Sequence, residues 1–597
     1  MAWIAGASLG AWYLRRGWVP HDEGALAQSA ERLLAGQLPH RDFDEIYTGG
    51  LTMLHAAAFR AFGENLWSMR VVLFAVFLAF LPAVYAIARR FVGANAAALA
   101  TFTAAAWTLP NYSAPIPSWY NLFLATIGMA ALLRHVDTQR RRWLVVAGVA
   151  GGLSCLAKIT GLYFVGAAGL FLVYREAVLS RDASDDAPRH FAFTAATIAA
   201  VAMLALAVAL LVRMRAGLAG IVNFVLPVVA LVLAVGAGLA ASRGEQMALR
   251  GRRLIALLWP FAVGVAAPVA LFVLPYLATG SLGALWNGVF VLPTKRFAFA
   301  SMGLLPVSTM RYAVLLTVFA WWAKRWSASA RQWGGIGVGL LLLWFLLHAR
   351  HPQPYEIVWY TTRALLPLSV LAGAVLLLAR REPLSATREQ ELVLVLSVAA
   401  LCSLIQFPFA APIYFIYVSP LALLAALAVW RTWDPAPQPT GAVVLSFWAL
   451  FALLWVNTGF IYAMGINHVR DRQDHLLDLP RGGLRVTIED QSTYERAVAA
   501  VRAHAHGDYI WAGPDAPAVY FLSATRNPTR TLFDFFDEPT DRTPRLLAAL
   551  DRHDVHVIVL HSRPPFSGPL DAALRDSLRR RFPASETAGW FEIRWRP

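Results

Sequence analysis

HDEGALAQSAERLLAGQLPHRDFDEIYTGGLTMLHAAAFRAFGENLWSMR, residues 21–70, is the stretch whose reading decides the fold. It carries Asp22, Glu23, Glu31, Asp42, Asp44, Glu45 and Glu64 between one apolar segment on its N-terminal side and more than ten that follow. Leu26, Ala30, Leu33 and Leu34 recur at helical spacing, which predicts an amphipathic helix over 25–38 lying along a membrane surface. The pattern returns over Leu51–Phe62 after Gly49 and Gly50, so the stretch reads as two surface helices joined by LPHRDFDEIYTGG. Asp22 and Glu23 then sit at the end of the first span, with Asp42, Asp44 and Glu45 in the connector. Folded back, the two acid groups face one cavity; an adjacent Asp-Glu pair is also what a simple helix cap looks like.

Composition sets the solvent. Of 597 residues, 58% are hydrophobic and only 15% charged, against roughly 25% charged in an average soluble domain. Mean hydropathy is +0.53. These values describe a polytopic α-helical membrane protein. The net charge of +16 is concentrated in short loops between apolar runs, so it orients helices in a bilayer and does not mark a nucleic-acid surface. Cys155 and Cys402 lie inside apolar stretches without a CxxC partner and read as small core residues. A spanning helix needs about 20 apolar residues, roughly 17 to 25. Runs of this kind fall near 1–14, 71–88, 94–109, 118–133, 143–157, 159–174, 191–212, 217–241, 254–278, 306–323, 333–348, 361–379, 391–408, 412–430 and 441–463. The first is short, thinly anchored or begun upstream, so we expect about 13–15 transmembrane helices.

Alternate loops carry the arginines: Arg89 and Arg90; Arg134 and Arg140–Arg142; Arg175, Arg181 and Arg189; Arg243, Arg250, Arg252 and Arg253; Lys324, Arg325 and Arg331; Arg380, Arg381 and Arg388; and Arg431. By the positive-inside rule these are cytoplasmic. Both flanks of 143–174 are basic, which makes that segment a hairpin with Lys158 at its outer tip; Arg213 and Arg215 break 191–241 in the same way. The organisation expected is a membrane domain over 1–465, whose first outer loop is 15–70, and a soluble α/β domain over 466–597 on the same outer face of a plasma (inner) membrane. In the latter, DYIWAG and VHVIVL read as short buried strands, while TYERAVAAVRAHA and LDAALRDSLRRRF read as helices. Its histidines follow no ligand pattern.

The outer-loop pattern DEG…A..LL.G..PHRDFDEIYTGG…FG.N.W.MR, the topology and the C-terminal domain together resemble the GT-C superfamily of membrane glycosyltransferases. The nearest resemblance is to the protein-mannosyltransferase, aminoarabinose-transferase and RgtA/B/C/D-like group, which use polyprenyl-phosphate sugars. The match is sharpest over 21–90, weaker at GGLSCLAKITGLYFVGAAGLFLVY and architectural beyond. A "YPPG"-like turn reads YTGG here. The resemblance implies Asp22 with Glu23 as catalytic acids, and Arg70 and Lys158 at the donor phosphate. It also implies partners: a polyprenyl-phosphate-linked monosaccharide, an envelope glycan, lipid or protein acceptor, and membrane lipid, with no nucleic acid.

The chemistry is consistent with that assignment. A polyprenyl phosphate leaves as a stable anion, so transfer needs one base for the acceptor hydroxyl, Asp22, and cations to hold phosphate. Glu23 would raise the pair's proton affinity or orient the acceptor. Arg363 joins Arg70 and Lys158 as a phosphate candidate, with Arg41, Lys295, Arg296 and Arg350 as further outer cations. Asp42, Asp44, Glu45, Tyr47, His351 and Glu356 are candidate sugar or acceptor contacts. The Asp-x-Asp of DFDE would suit a divalent cation, but no metal or other cofactor is expected, because this transfer does not need one. The alternative is a transporter or flippase of a lipid-linked envelope component. Against it stand the absence of matched broken helices in two halves and of a buried carboxylate ladder. A third reading is an assembly scaffold.

Overall fold

The computed structural model describes residues 1–180, 191–213, 217–241, 247–299, 303–323, 325–379, 384–435, 440–456, 473–537 and 540–597. Among them, eight helices are long and apolar enough to cross a membrane: Leu66–Ala88, Ile159–Leu179, Phe193–Arg213, Gly217–Ala240, Leu249–Ala278, Ser329–His348, Pro352–Ala379 and Ala386–Gln406. Arg142–Ala157, Val307–Ala323 and Thr440–Leu454 are shorter apolar helices. Each of the fifteen expected spans overlies a helix, with two changes that matter below. The run at 412–430 breaks into Pro412–Ile416 and Ser419–Trp433. The span expected from 361 begins at Pro352, because Pro at the first helical position starts the helix early. The expected boundary between domains, and Arg181, Arg189, Arg215, Arg243, Lys324, Arg380 and Arg381, lie outside the described residues.

The N-terminal half consists of α1 (Ala2–Tyr13), α2 (Pro20–Leu34), α3 (Gly50–Phe62), α4 (Leu66–Ala88), α5 (Ala94–Ala106), α6 (Pro117–Thr138), α7 (Arg142–Ala157) and α8 (Leu162–Leu179). The α7–α8 hairpin forms as expected, with Lys158 at the break. At one end of the bundle the polar loop residues close on one another. Arg90 bonds Asp137 and Glu391, the latter at 2.7 Å, Arg250 pairs with Glu176 at 2.8 Å, and Arg175 bonds Gln139 at 2.7 Å and also Gln390. These contacts bring together loops that the charge pattern assigns to a single side of the membrane.

The opposite end carries the acidic stretch and the C-terminal domain. That domain holds a four-stranded sheet ordered β1 (Trp511–Gly513), β2 (Val557–His561), β4 (Phe591–Trp595), β3 (Ala584–Ala588), with β1–β2 parallel and the other pairs antiparallel. The two surface helices form nearly where the periodicity predicts, but α2 does not lie against lipid. The helix Pro517–Ser523 covers it so closely that a Cβ on Gly24 would stand 2.3 Å from the Ala518 nitrogen, which admits only glycine. Phe59 of α3 stacks on Phe521 at 5.4 Å. Around this apolar seam, Arg481 bonds Glu31 and Glu64, each at 2.6 Å, and Arg530 bonds the His40 and Arg41 carbonyls and Asp44.

Arg481 bridges two carboxylates at a partly exposed seam, where such pairs contribute about 0.2–1 kcal/mol each. Arg481→Ala is therefore expected to speed limited proteolysis of the C-terminal domain roughly fivefold. Salt should act on the wild-type protein in the same direction. Equal cleavage rates would show that the apolar seam holds the domain unaided.

Candidate functional site

The α2 helix starts at Pro20, so Asp22 and Glu23 occupy its first turn, where carboxylates meet the positive end of the helix dipole. One residue of helical rotation sends them in different directions. Glu23 turns inward to Arg70, which lies in the spanning helix α4. Arg70 Nε donates to Glu23 Oε1 and Nη2 to Oε2, both at 2.7 Å. Nη1 donates to the Leu14 and Arg16 carbonyls at 3.2 and 2.6 Å, and Nη2 also donates to Gly17 at 3.1 Å. The Val19 amide adds a bond to Glu23 Oε2 at 3.0 Å. All five guanidinium N–H groups thus have acceptors, and both side chains are 0% exposed. Glu23 and Arg70, expected at the chemistry and at the phosphate, are closed on each other here, each guanidinium donor taken by a described residue.

Asp22 turns the other way. Its Oδ2 accepts from the Tyr112 hydroxyl at 2.6 Å. No hydrogen bond reaches Oδ1 from the described residues; His21 Nε2 stands 3.9 Å away, and the carboxylate is 19% exposed. His21 packs edge-on to Phe566 of the C-terminal domain. Nearby, His561 Nδ1 lies 3.2 Å from the Pro514 carbonyl, and burial pushes His561 down to about 4.

Tyr112 begins a buried run whose far end meets Lys158. The Trp119 indole donates to the Tyr112 carbonyl at 2.8 Å, and Ser118 Oγ lies 3.4 Å from Lys158 Nζ. The Lys158 ammonium also lies over the Tyr414 ring at 5.8 Å. Beside it a small cleft of about 20 Å³, room for about one water, is lined by Ser118, Asn121, Ser154, Thr160 and Tyr417 among apolar neighbours. A second cleft, also of about 20 Å³, is lined by Asn223, Thr309, Tyr360, Arg363 and Gln406. Arg363 makes two long bonds there, to Ala410 O at 3.2 Å and Gln406 Oε1 at 3.5 Å. The contrast with Arg70 is physical: one guanidinium is saturated, the other makes only these two long bonds among the described residues.

The remaining candidates separate from Asp22. Asp42 is held by its neighbour Arg41 and the Leu38 amide, which together keep its carboxyl below the usual range. Asp44 pairs with Arg530 of the C-terminal domain. Glu45 is buried, accepting from the Ile46 and Tyr47 amides and from Thr52 at 2.7 Å, so it closes its own turn. The three connector acids expected at the sugar thus bond within the connector or to the docked domain. Tyr47 is partly buried against the core. His351 and Glu356 are exposed at the start of the Pro352–Ala379 helix, on no cleft described above. No group of three or more His, Cys, Asp or Glu able to hold a metal ion occurs among the described residues. Sequence reasoning missed Tyr112, His21, Tyr360 and Gln406; no local pattern distinguishes them.

Residues 51–184 match the family model described as dolichyl-phosphate-mannose-protein mannosyltransferase. The match takes in the second half of the acidic stretch and the hairpin segment, two places that carry the resemblance read from the sequence, and bears that resemblance out. No curated protein sequence matches the chain. Among solved structures, ArnT from Cupriavidus metallidurans bound to undecaprenyl phosphate is 14% identical over 99% of this chain and 97% of that one, with a TM-score of 0.37. The apo oligosaccharyltransferase of Archaeoglobus fulgidus is 13% identical over 94% and 69%, with a TM-score of 0.42. The archaeal oligosaccharyltransferase AglB of the same organism, in complex with an inhibitory peptide and a dolichol-phosphate, is 12% identical over the same shares, with a TM-score of 0.39.

Glu23→Gln would leave the Arg70 charge buried without a counter-ion. Breaking such a pair costs about 3–5 kcal/mol, read as a lowered unfolding midpoint in detergent. Arg70→Lys is expected to fare little better, since one ammonium cannot serve acceptors spread around a planar fork. His561 carries a second prediction. Its folded-state value lies near 4, below the 6.5 of an exposed histidine. Stability from keeping it neutral is therefore complete above about 6.5 and declines as pH falls toward 4. His561→Gln should flatten the fall of the unfolding midpoint across that window.

Proposed function

We propose that this protein is an integral-membrane glycosyltransferase that moves a monosaccharide from a polyprenyl-phosphate donor to an envelope glycan, lipid or protein acceptor, with inversion at the anomeric carbon. The observation that carries the reading is the singular state of Asp22. Glu23, Glu31, Asp42, Asp44 and Glu64 all pair with arginines, and Glu45 is buried against amides and Thr52. Asp22 alone among the seven is oriented by a hydroxyl, partly exposed, and left with an oxygen that accepts no bond from the described residues. That is the state a general base needs.

In the reaction, Asp22 Oδ1 takes the proton of the acceptor hydroxyl as the acceptor oxygen bonds to the anomeric carbon. The bond from that carbon to the phosphate oxygen breaks on the opposite face, and its electron pair leaves with the polyprenyl phosphate. Lys158 and Arg363 hold the phosphate, Lys158 beside the segment that orients Asp22 and Arg363 in the neighbouring cleft. Glu23 and Arg70 fix the turn that presents Asp22. No metal is required. The site and the C-terminal domain face away from the cytoplasm, where a lipid carrier, not a nucleotide sugar, supplies the donor.

The test is purified protein in proteoliposomes with a polyprenyl-phosphate sugar and an envelope acceptor fraction, scored for released polyprenyl phosphate. Asp22→Asn is expected to lower release by roughly 10²- to 10⁴-fold, with normal folding. Full release by that variant would overturn the base assignment. Movement of donor lipid across the bilayer with no covalent product would overturn the enzyme reading in favour of a flippase.

A further inference from the structure

We propose that Tyr112 is a positioning residue that aims the Asp22 carboxylate, and that the segment from Tyr112 to Trp119 acts as a fixed ruler between that base and Lys158. The inference rests on the reading of Asp22 as the base and deepens it. Three observations support it. The Tyr112 hydroxyl donates to Asp22 Oδ2 at 2.6 Å, a charge-assisted bond that leaves Oδ1 as the reactive oxygen. The Tyr112 main chain is itself held, its carbonyl accepting the Trp119 indole at 2.8 Å, so the ring cannot drift from Asp22 without breaking a buried bond. Ser118, one residue before Trp119, bonds Lys158, while Pro115 and Pro117 remove backbone freedom between the two contacts.

Every residue from Trp107 to Leu122 is buried. The segment is therefore clamped along its length and relays the position of Lys158 to Asp22 without slack. The function follows from geometry: in-line displacement requires base and leaving group on opposite faces of one carbon, and small errors in their separation cost orders of magnitude in rate. Two groups on different helices, α2 and the α7–α8 break, need a common reference. This segment touches both.

Tyr112→Phe removes only the hydroxyl. A hydrogen bond to a charged group contributes about 1.5–3 kcal/mol, so kcat is expected to fall roughly ten- to hundredfold with the donor KM unchanged. An unchanged kcat, or a rise in donor KM alone, would overturn the proposal while an inactive Asp22→Asn kept the base assignment intact. An active Asp22→Asn would overturn both. Should the phenylalanine variant not accumulate, 3-fluorotyrosine at position 112 keeps the ring and alters only the strength of the donor. It is then expected to change kcat severalfold with the donor KM unchanged, and an unchanged kcat overturns the proposal.

Discussion

The buried pair of Glu23 and Arg70 is the constraint on which the rest of the site depends. A guanidinium at 0% exposure is tolerable only if every donor is filled, and here the filling groups come from two places: Glu23 on α2, and the carbonyls of Leu14, Arg16 and Gly17 in the chain entering it. One side chain from the spanning helix α4 thus determines where the first helix ends, how the chain turns, and which way α2 departs. Because Glu23 is anchored, Asp22 is displaced by one residue of helical rotation toward Tyr112 and the C-terminal domain. The catalytic candidate owes its direction to its neighbour's burial.

A second level of organisation is the division of labour among charges. Near the acidic stretch, guanidinium groups that bond carboxylates and carbonyls hold structure, as Arg70, Arg481 and Arg530 do. Arg363, in contrast, lines a cleft and makes two long bonds within the described residues. The two clefts meet along one stretch of chain, since Cys402 and Ile405 line the first and Gln406 the second. That stretch ends the Ala386–Cys402 helix and leads into the broken 412–433 region, where irregular backbone can line a cavity that a continuous helix would fill.

Much of this fold was legible in the sequence because bilayer physics is legible: apolar length gives the spans, and arginine placement predicts the hairpin that leaves Lys158 at its tip. The acidic stretch was recognisable as a site for the same reason, since carboxylates gathered beside apolar helices demand an explanation. What was not legible was which acid does what. Asp22 and Glu23 are adjacent letters, and the difference between them is a rotation about α2 made visible only by Arg70, 47 residues away in sequence. Asp44, Glu31 and Glu64 looked available because their arginines lie more than 400 residues downstream. Tyr112 carried no signal, being one aromatic in a loop between two apolar runs. The early start of the Pro352–Ala379 helix, which strands His351 and Glu356 at its exposed end, follows from a proline that reads equally well as a loop residue.

The close approach of Gly24 to Ala518 has a consequence for biogenesis. The α2 helix leaves the ribosome before the helix that completes its upper face, which follows almost five hundred residues later. While those intervening residues are made, that apolar face is uncovered. The first part of the candidate site to be made is therefore the last to be finished. Truncated or stalled chains, however well inserted, carry Asp22 on a helix that has no roof.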